Sequence, residues 1–293
     1  MTMEQPVRAA DRLSASEVDD VLALASAAGE ADGVYPLSED VVLRVRGDVQ
    51  HDGVHLLAFS GDHLAGYAFV ADGGELVVHP RFRRAGVGTA LLAAAGSGPL
   101  SFWAHGDDPG AAVFAERNGF TRARVLWQMR RFLSEPLPDI ALPEGVTVRT
   151  FSPGADEKAW LEVNARAFAS HPEQGRWTLD DLRAREAEPW FDPEGFLLAV
   201  DVAGTVLGFH WTKVHPADSD EPALGEIYVL GVDPSGHRRG LGAALSVAGL
   251  RHLAGAGLMV AGLYVDESNA AAVKLYRGLG FTIYKTDVRY HRS

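Results

Sequence analysis

No cysteine occurs among the 293 residues. Disulfides, thiolate zinc sites, iron–sulfur clusters and a cysteine nucleophile are therefore excluded. Positive charge is also scarce: 27 Lys and Arg stand against 39 Asp and Glu, a formal net charge of −12. Binding to nucleic acid or to an anionic membrane surface rests on basic patches, so this balance argues against both. Four of the basic residues are lysine (Lys158, Lys213, Lys274, Lys285), a bias to which we attach no function. Long apolar runs are missing too. The most apolar long stretch, Leu245–Val265, is interrupted by Arg251, His252 and several glycines, and reads as a buried helix followed by a strand. No apolar signal core follows the charges of MTMEQPVRAADRL, so the expected location is cytoplasmic. His51, His55 and His63 fall close together, but without a nearby carboxylate pair they read as surface residues, and no metal is expected.

What is present is a chain long enough for two domains. With 47% hydrophobic residues, it can bury a core in each. The chain also repeats itself. LVVHPRFRRAGVG (76–88) matches LGVDPSGHRRGLG (230–242) at an offset of 154, with Pro80, Gly86 and Gly88 falling on Pro234, Gly240 and Gly242. ERNGF (116–120) matches RGLGF (277–281) at an offset of 161, and LLAFSGDHLAGYAF (56–69) resembles LLAVDVAGTVLGFHW (197–211). Blocks in the same order with small length changes between them mean a duplicated domain; a solenoid needs a shorter period and more copies. The proline-rich stretch LSEPLPDIALPEG (133–145) reads as the linker. The expected domains are 1–137 and 138–293.

In the second repeat, Val146–Phe151 alternates like a strand, and Gly154–Phe168 and Thr178–Glu188 read as helices, with Thr178 a suitable N-cap. Phe196–Val202 and Val206–Val214 predict a hairpin across Ala203 and Gly204. Gly225–Val232 (strand), Arg239–Leu253 (helix), Leu263–Asp266 (strand), Ser268–Gly278 (helix) and Phe281–Tyr290 (strand) follow. The first repeat has the same order with a weaker first strand. The fold class is α/β, a mixed sheet flanked by helices in each of two tandem domains.

The glycine loop carries the first chemical signal. Asp233-Pro-Ser-Gly-His-Arg-Arg-Gly-Leu-Gly-Ala243 leaves a strand and enters a helix. Pro234 cannot donate to a ladder and ends the strand. Gly240 and Gly242 let a ligand approach the backbone. The first amides of the helix are unpaired and favour an anion. Arg238 and Arg239 add positive charge. Such a loop suits a pyrophosphate, and it occurs twice. Gly231, inside the preceding strand, predicts a bulge that splays this strand from the next and opens a cleft.

On these residues the two repeats resemble GCN5-related N-acetyltransferase (GNAT) domains, whose acetyl-CoA loop follows Arg/Gln-x-x-Gly-x-Gly/Ala. Arg83-Arg-Ala-Gly-Val-Gly88 fits, and His237-Arg-Arg-Gly-Leu-Gly242 departs at its first position. The tandem pair, with ELVVHP, FWAHG, HPEQG, GFHWTKVHP, GEIYVLGVDP and LYVDESNAAAVKLY, is similar to the tandem members that acetylate the cysteinyl amine of a cysteinyl-glucosaminyl-inositol. The resemblance implies acetyl-CoA as co-substrate, no metal, and a duplication that can serve in place of a dimer, so a monomer is expected.

It also implies roles. Glu226 would be the general base, directly or through a water, and Tyr276 the acid that protonates the CoA sulfur. Acetyl-CoA would lie along Leu230, Gly231 and Val232, on His237, Arg238, Arg239, Gly240, Leu241, Gly242 and Ala243, and beside Asn269, Ala270, Ala271, Ala272, Val273 and Lys274. An amide near Leu230 or Val232 would meet the oxyanion. In the first repeat the matching positions are Leu76, Val77, Val78, Arg84, Ala85, Gly86, Val87, Gly88 and Thr89. The acceptor would touch Glu39, Glu173, Lys213, Glu226 and Tyr264. At the offsets above, Tyr276 falls on Ala115 and Glu226 on Asp72, so the first repeat is expected to bind or support and the second to catalyse. Acetylation of another small amine or amino sugar, and a non-catalytic acetyl-CoA sensor, remain as alternatives.

Overall fold

The computed structural model describes residues 6–48, 52–169, 174–217, 222–234 and 240–293. The chain forms two compact units. The first comprises Met1–Trp127, Asp266–Ser268 and Lys285–Ser293, and the second Gln128–Val265 and Asn269–Tyr284.

The elements of the first unit are β1 (Val7–Ala10), α1 (Ala15–Asp32), α2 (Glu39–Arg46), β2 (Val54–Ser60), β3 (His63–Val70), β4 (Gly74–Val78), α3 (Val87–Ala95), β5 (Leu100–His105), α4 (Pro109–Arg117) and the start of β6 (Thr121–Phe132). Those of the second are β7 (Val146–Thr150), α5 (Glu157–Ala167), α6 (Leu179–Glu186), β8 (Phe196–Asp201), β9 (Val206–His215), β10 (Leu224–Val232), α7 (Leu241–Gly255), β11 (Val260–Asp266), α8 (Ala270–Gly278) and the start of β12 (Thr282–Arg292). The order of elements is the same in both, as the repeat requires.

The two units are discontinuous in sequence, which differs from a single cut at 137. The 12-residue β6 and the 11-residue β12 each give their first and last parts to different units. The last part of β12 pairs antiparallel with β5, from Asp287 opposite His105 to Arg292 opposite Leu100. Local sequence can mark a linker, but pairing partners decide which unit a long strand completes.

In each unit the strands alternate inward residues between two helical layers. In the first, Leu57, Tyr67 and Phe69 meet Leu24, Ala25, Ala28, Val41 and Val45 of α1 and α2. Leu56, Ala58 and Ala68 face Val87 and Leu91 of α3. His55, expected at the surface, is fully buried on β2, its Nδ1 2.7 Å from the Tyr67 hydroxyl. In the second, one face is aromatic. Trp160, Phe196, Phe209 and Trp211 pack together, with Phe196 stacked on Trp211 at 4.3 Å. The other face carries Leu241 and Leu245 of α7. Thr178 caps α6 in a reciprocal box with Asp181. Most pairings are antiparallel, but β4–β5 and β10–β11 are parallel, which makes the strand pairing of each unit mixed. Among the described residues no helix is long and apolar enough to cross a membrane, and none form a cluster suited to a metal ion.

Candidate active site

Strand β10 organises the second unit's site. Its register with β9 slips between Ile227 and Val229, so Tyr228 is an inserted residue. An insertion reverses the alternation beyond it. Tyr228 and Val229 both join the aromatic face, whereas Leu230 and Val232 turn to α7. The bulge expected at Gly231 therefore lies at Tyr228. Gly231 is paired regularly with Phe209, and it is glycine for packing: a Cβ there would stand 2.8 Å from the Phe209 ring and 3.1 Å from Phe168.

The splay itself is present. β10 pairs with β11 from Leu224–Val260 to Glu226–Gly262, and the register stops there although both strands continue. The Asp233 N–H donates to the Leu207 carbonyl on β9 at 2.9 Å. Alternation then aims the N–H groups of Leu230 and Val232 away from β9, into the gap. In the first unit β4 pairs with β5 only at Gly74 and Glu75, and the His79 N–H donates to Ala65. Leu76, Val77 and Val78 run past that splay.

Both glycine loops enter their helices alike. Gly240 caps α7 with φ +95° and Gly86 caps α3 with φ +88°, neither with a side-chain cap hydrogen bond. Such termini present the amides of Leu241, Gly242 and Ala243, and of Val87, Gly88 and Thr89, to an incoming acceptor. Among the described residues a Cβ on Gly242 would come no closer than 3.7 Å to a neighbouring side chain, whereas one on Gly88 would meet the Phe114 ring at 3.0 Å. Ala85 precedes Gly86, and Arg84 holds a left-handed φ of +62°. Arg83 does not point free: it grips Asp32 at 2.7 and 2.6 Å and donates to the Val78 carbonyl. His237, Arg238, Arg239 and Glu173 lie outside the described residues.

Glu226 sits where β10 leaves β11, its side chain 12% exposed. Its Oε2 is 2.6 Å from Nε2 of His215 on β9. Both line a cavity of about 200 Å³, together with Gln128, Arg130, Leu263 and Tyr264. The cavity brings Glu226 and Tyr264 together. Lys213 stands opposite Glu226 in the β9 register, with its ammonium 4.7 Å from the Trp190 ring, and is not among the residues lining it. Tyr276 is buried on α8 with its ring edge-on to Phe281. Burial pushes its hydroxyl up to about 12, so it stays protonated at neutral pH. Asn269 caps α8, its side chain accepting from the Ala272 N–H at 3.1 Å. Ala270, Ala271 and Lys274 are exposed, Ala272 is half-buried, and Val273 is buried beneath them. Glu39 is exposed in the first turn of α2, in the first unit.

The acetyltransferase (GNAT) family model matches residues 158–281, from α5 to the residue before β12. A mycothiol acetyltransferase of Thermobispora bispora is 54% identical, over 98% of this chain and 99% of its own. The chain belongs to the mycothiol acetyltransferases of the GNAT family. A crystal structure of a GCN5-related N-acetyltransferase from Sphaerobacter thermophilus shares 27% identity at a TM-score of 0.71, covering 98% of this chain and 95% of that one. A tandem GNAT protein from the clavulanic acid biosynthesis pathway, 20% identical, has a TM-score of 0.70 with 98% of both chains covered. Its likeness is one of fold.

Sequence reasoning missed His215, Gln128 and Arg130. His215 had a signal: it lies two residues beyond Lys213 on one strand, hence on the same face. Gln128 and Arg130 had none, because they reach the cavity from β6, a distant part of the chain.

Proposed function

We propose that this chain transfers acetyl from acetyl-CoA to the cysteinyl amine of a cysteinyl-glucosaminyl-inositol, giving mycothiol, and that the second unit performs the chemistry. The observation that carries the reading is the Glu226 carboxylate at the end of the β10–β11 pairing, lining a cavity at the point where the register between the two strands stops. An α-amino group has a pKa of roughly 8, so a carboxylate suffices to take its proton at neutral pH, directly or through a water. The freed nitrogen attacks the thioester carbon. The oxyanion is met by the N–H of Leu230 or Val232. Collapse expels the CoA sulfur, to which Tyr276 gives its proton, and the second proton shed by the nitrogen restores the Tyr276 hydroxyl. The CoA pyrophosphate rests on the amides of Leu241, Gly242 and Ala243, and the acceptor reaches Lys213 and Tyr264. The reading takes the chain as a cytosolic monomer. The first unit keeps the glycine cradle but has Ala115 where the second has Tyr276, so it is read as binding acetyl-CoA without transferring from it.

The test is turnover of acetyl-CoA with cysteinyl-glucosaminyl-inositol against its des-cysteinyl precursor, with products read by mass spectrometry. Acetylation of the cysteinyl compound alone, stable to mild hydroxylamine, is expected. Preference for the precursor, or loss of the acetyl group under hydroxylamine, overturns the assignment. Acetyl-CoA binding without turnover on any amine makes the protein a sensor.

A further inference from the structure

We propose that His215 carries the proton from Glu226 to solvent. The inference rests on Glu226 being the base, as read above. The reaction converts an ammonium and acetyl-CoA into an amide, CoA thiol and one proton. Two protons leave the nitrogen; one ends on the CoA sulfur, and the other must reach water before Glu226 can act again.

Glu226 is badly placed to release that proton itself, with a side chain only 12% exposed. His215 is well placed. It ends β9, its side chain is 40% exposed, and its Nε2 stands 2.6 Å from Glu226 Oε2. The pair thus has one member largely shielded from water and one open to it. An imidazole suits the task because it binds a proton at one nitrogen and releases it from the other. The neighbours do not compete for it. Lys213 lies across the strand pair from Glu226, over Trp190 and Tyr228, and is a donor only, as is Arg130. The Tyr264 hydroxyl is a far weaker base than imidazole.

In the step, the Oε2–H bond of the protonated carboxyl breaks as the Nε2–H bond of His215 forms. The carboxylate is regenerated, and the imidazolium loses a proton to water through Nδ1. Exchange of ring protons with solvent restores the starting tautomer. No other reactant is consumed. His215 acts through Glu226 and is a positioning and relay residue.

A relay leaves a signature that a structural contact does not, since a diffusible base can replace it. In the full chain, His215→Ala should lower kcat by roughly tenfold to hundredfold, at or below the low end for a placed proton-transfer group. The KM for acetyl-CoA should change little, and millimolar imidazole should restore several-fold of the loss. Glu226→Gln should lose activity that imidazole does not restore. His215→Gln keeps a donor toward Glu226 but cannot pass a proton, so it should stay slow. Full kcat in His215→Ala, or recovery in His215→Gln without imidazole, overturns the relay. The pair also has a readout that needs no acceptor: once acid loads it with the proton that it would relay, a low-field resonance from a proton shared by Glu226 and His215 Nε2, lost in Glu226→Gln. Its absence from the wild-type spectrum overturns the relay. Failure of the wild-type chain to acetylate any amine counts instead against the function proposed above.

Discussion

Two histidines, one half-buried and one fully buried, sit in opposite electrostatic settings. His105, in the first unit, lies between Glu75 and Asp287, at 3.0 Å from each. Burial alone would lower its pKa, but hydrogen bonds to both carboxylates outweigh it and raise the group to about 9. Glu75 also accepts the Ser38 N–H at the start of α2, so the cluster ties helix, sheet and last strand together. A folded-state value above the unfolded one stabilises fully below pH 6.5 and is lost as pH rises through about 9. His210, in the second unit, is the reverse. Full burial pushes it down to about 4, while its Nδ1–H donates to the Leu245 carbonyl. It must stay neutral, so its contribution is lost as pH falls from 6.5 toward 4. Hydrogen exchange followed across pH should show the first unit loosening in alkali and the second in acid. His105→Gln should remove the alkaline arm alone; an unchanged alkaline limb would refute the assignment. Tyr276 gives a kinetic prediction at the same scale. Tyr276→Phe should lower kcat by about 10²-fold at unchanged melting temperature, and full kcat would end its role as the acid.

Gly231 in β10 and Gly242 in α7 have different reasons to be glycine, and the strand and helix respond differently to alanine. Gly231→Ala forces the Phe209 and Phe168 rings to move, which should cost about 1–3 kcal/mol, as overpacking does. Gly242→Ala has ordinary room among the described residues, with none nearer than 3.7 Å. It should keep or raise the melting temperature, since alanine is the better helix residue, yet raise the KM for acetyl-CoA because the methyl group stands in the cradle. Melting and steady-state kinetics on the two variants decide this. A Gly242→Ala enzyme with normal KM would mean that no ligand approaches that backbone.

Across the whole chain, the last residues serve a unit that begins at the other terminus. Lys285–Ser293 pack within the first unit, where β12 pairs with β5 and Asp287 holds His105. Truncation after Tyr284 should therefore expose sites before Trp127 to limited proteolysis, as mapped by mass spectrometry. Cleavage confined to the second unit would contradict that division.

Much of this architecture was readable from residue order alone. The duplicated blocks, the period-two alternation of β7, the Thr178 cap and the glycines at the helix starts are local, because spacing and backbone freedom within a few residues suffice to specify them. The GNAT resemblance rests on the same local motifs. What only the tertiary structure decided is whatever depends on partners distant in sequence. The bulge falls at Tyr228 and not at Gly231 because register is a property of two strands. His55 is core because of Tyr67 and Phe69. Gln128 and Arg130 reach the cavity, and β12 completes the first unit, because strands far apart in the chain are brought together by pairing, and a one-dimensional pattern carries no record of its neighbours.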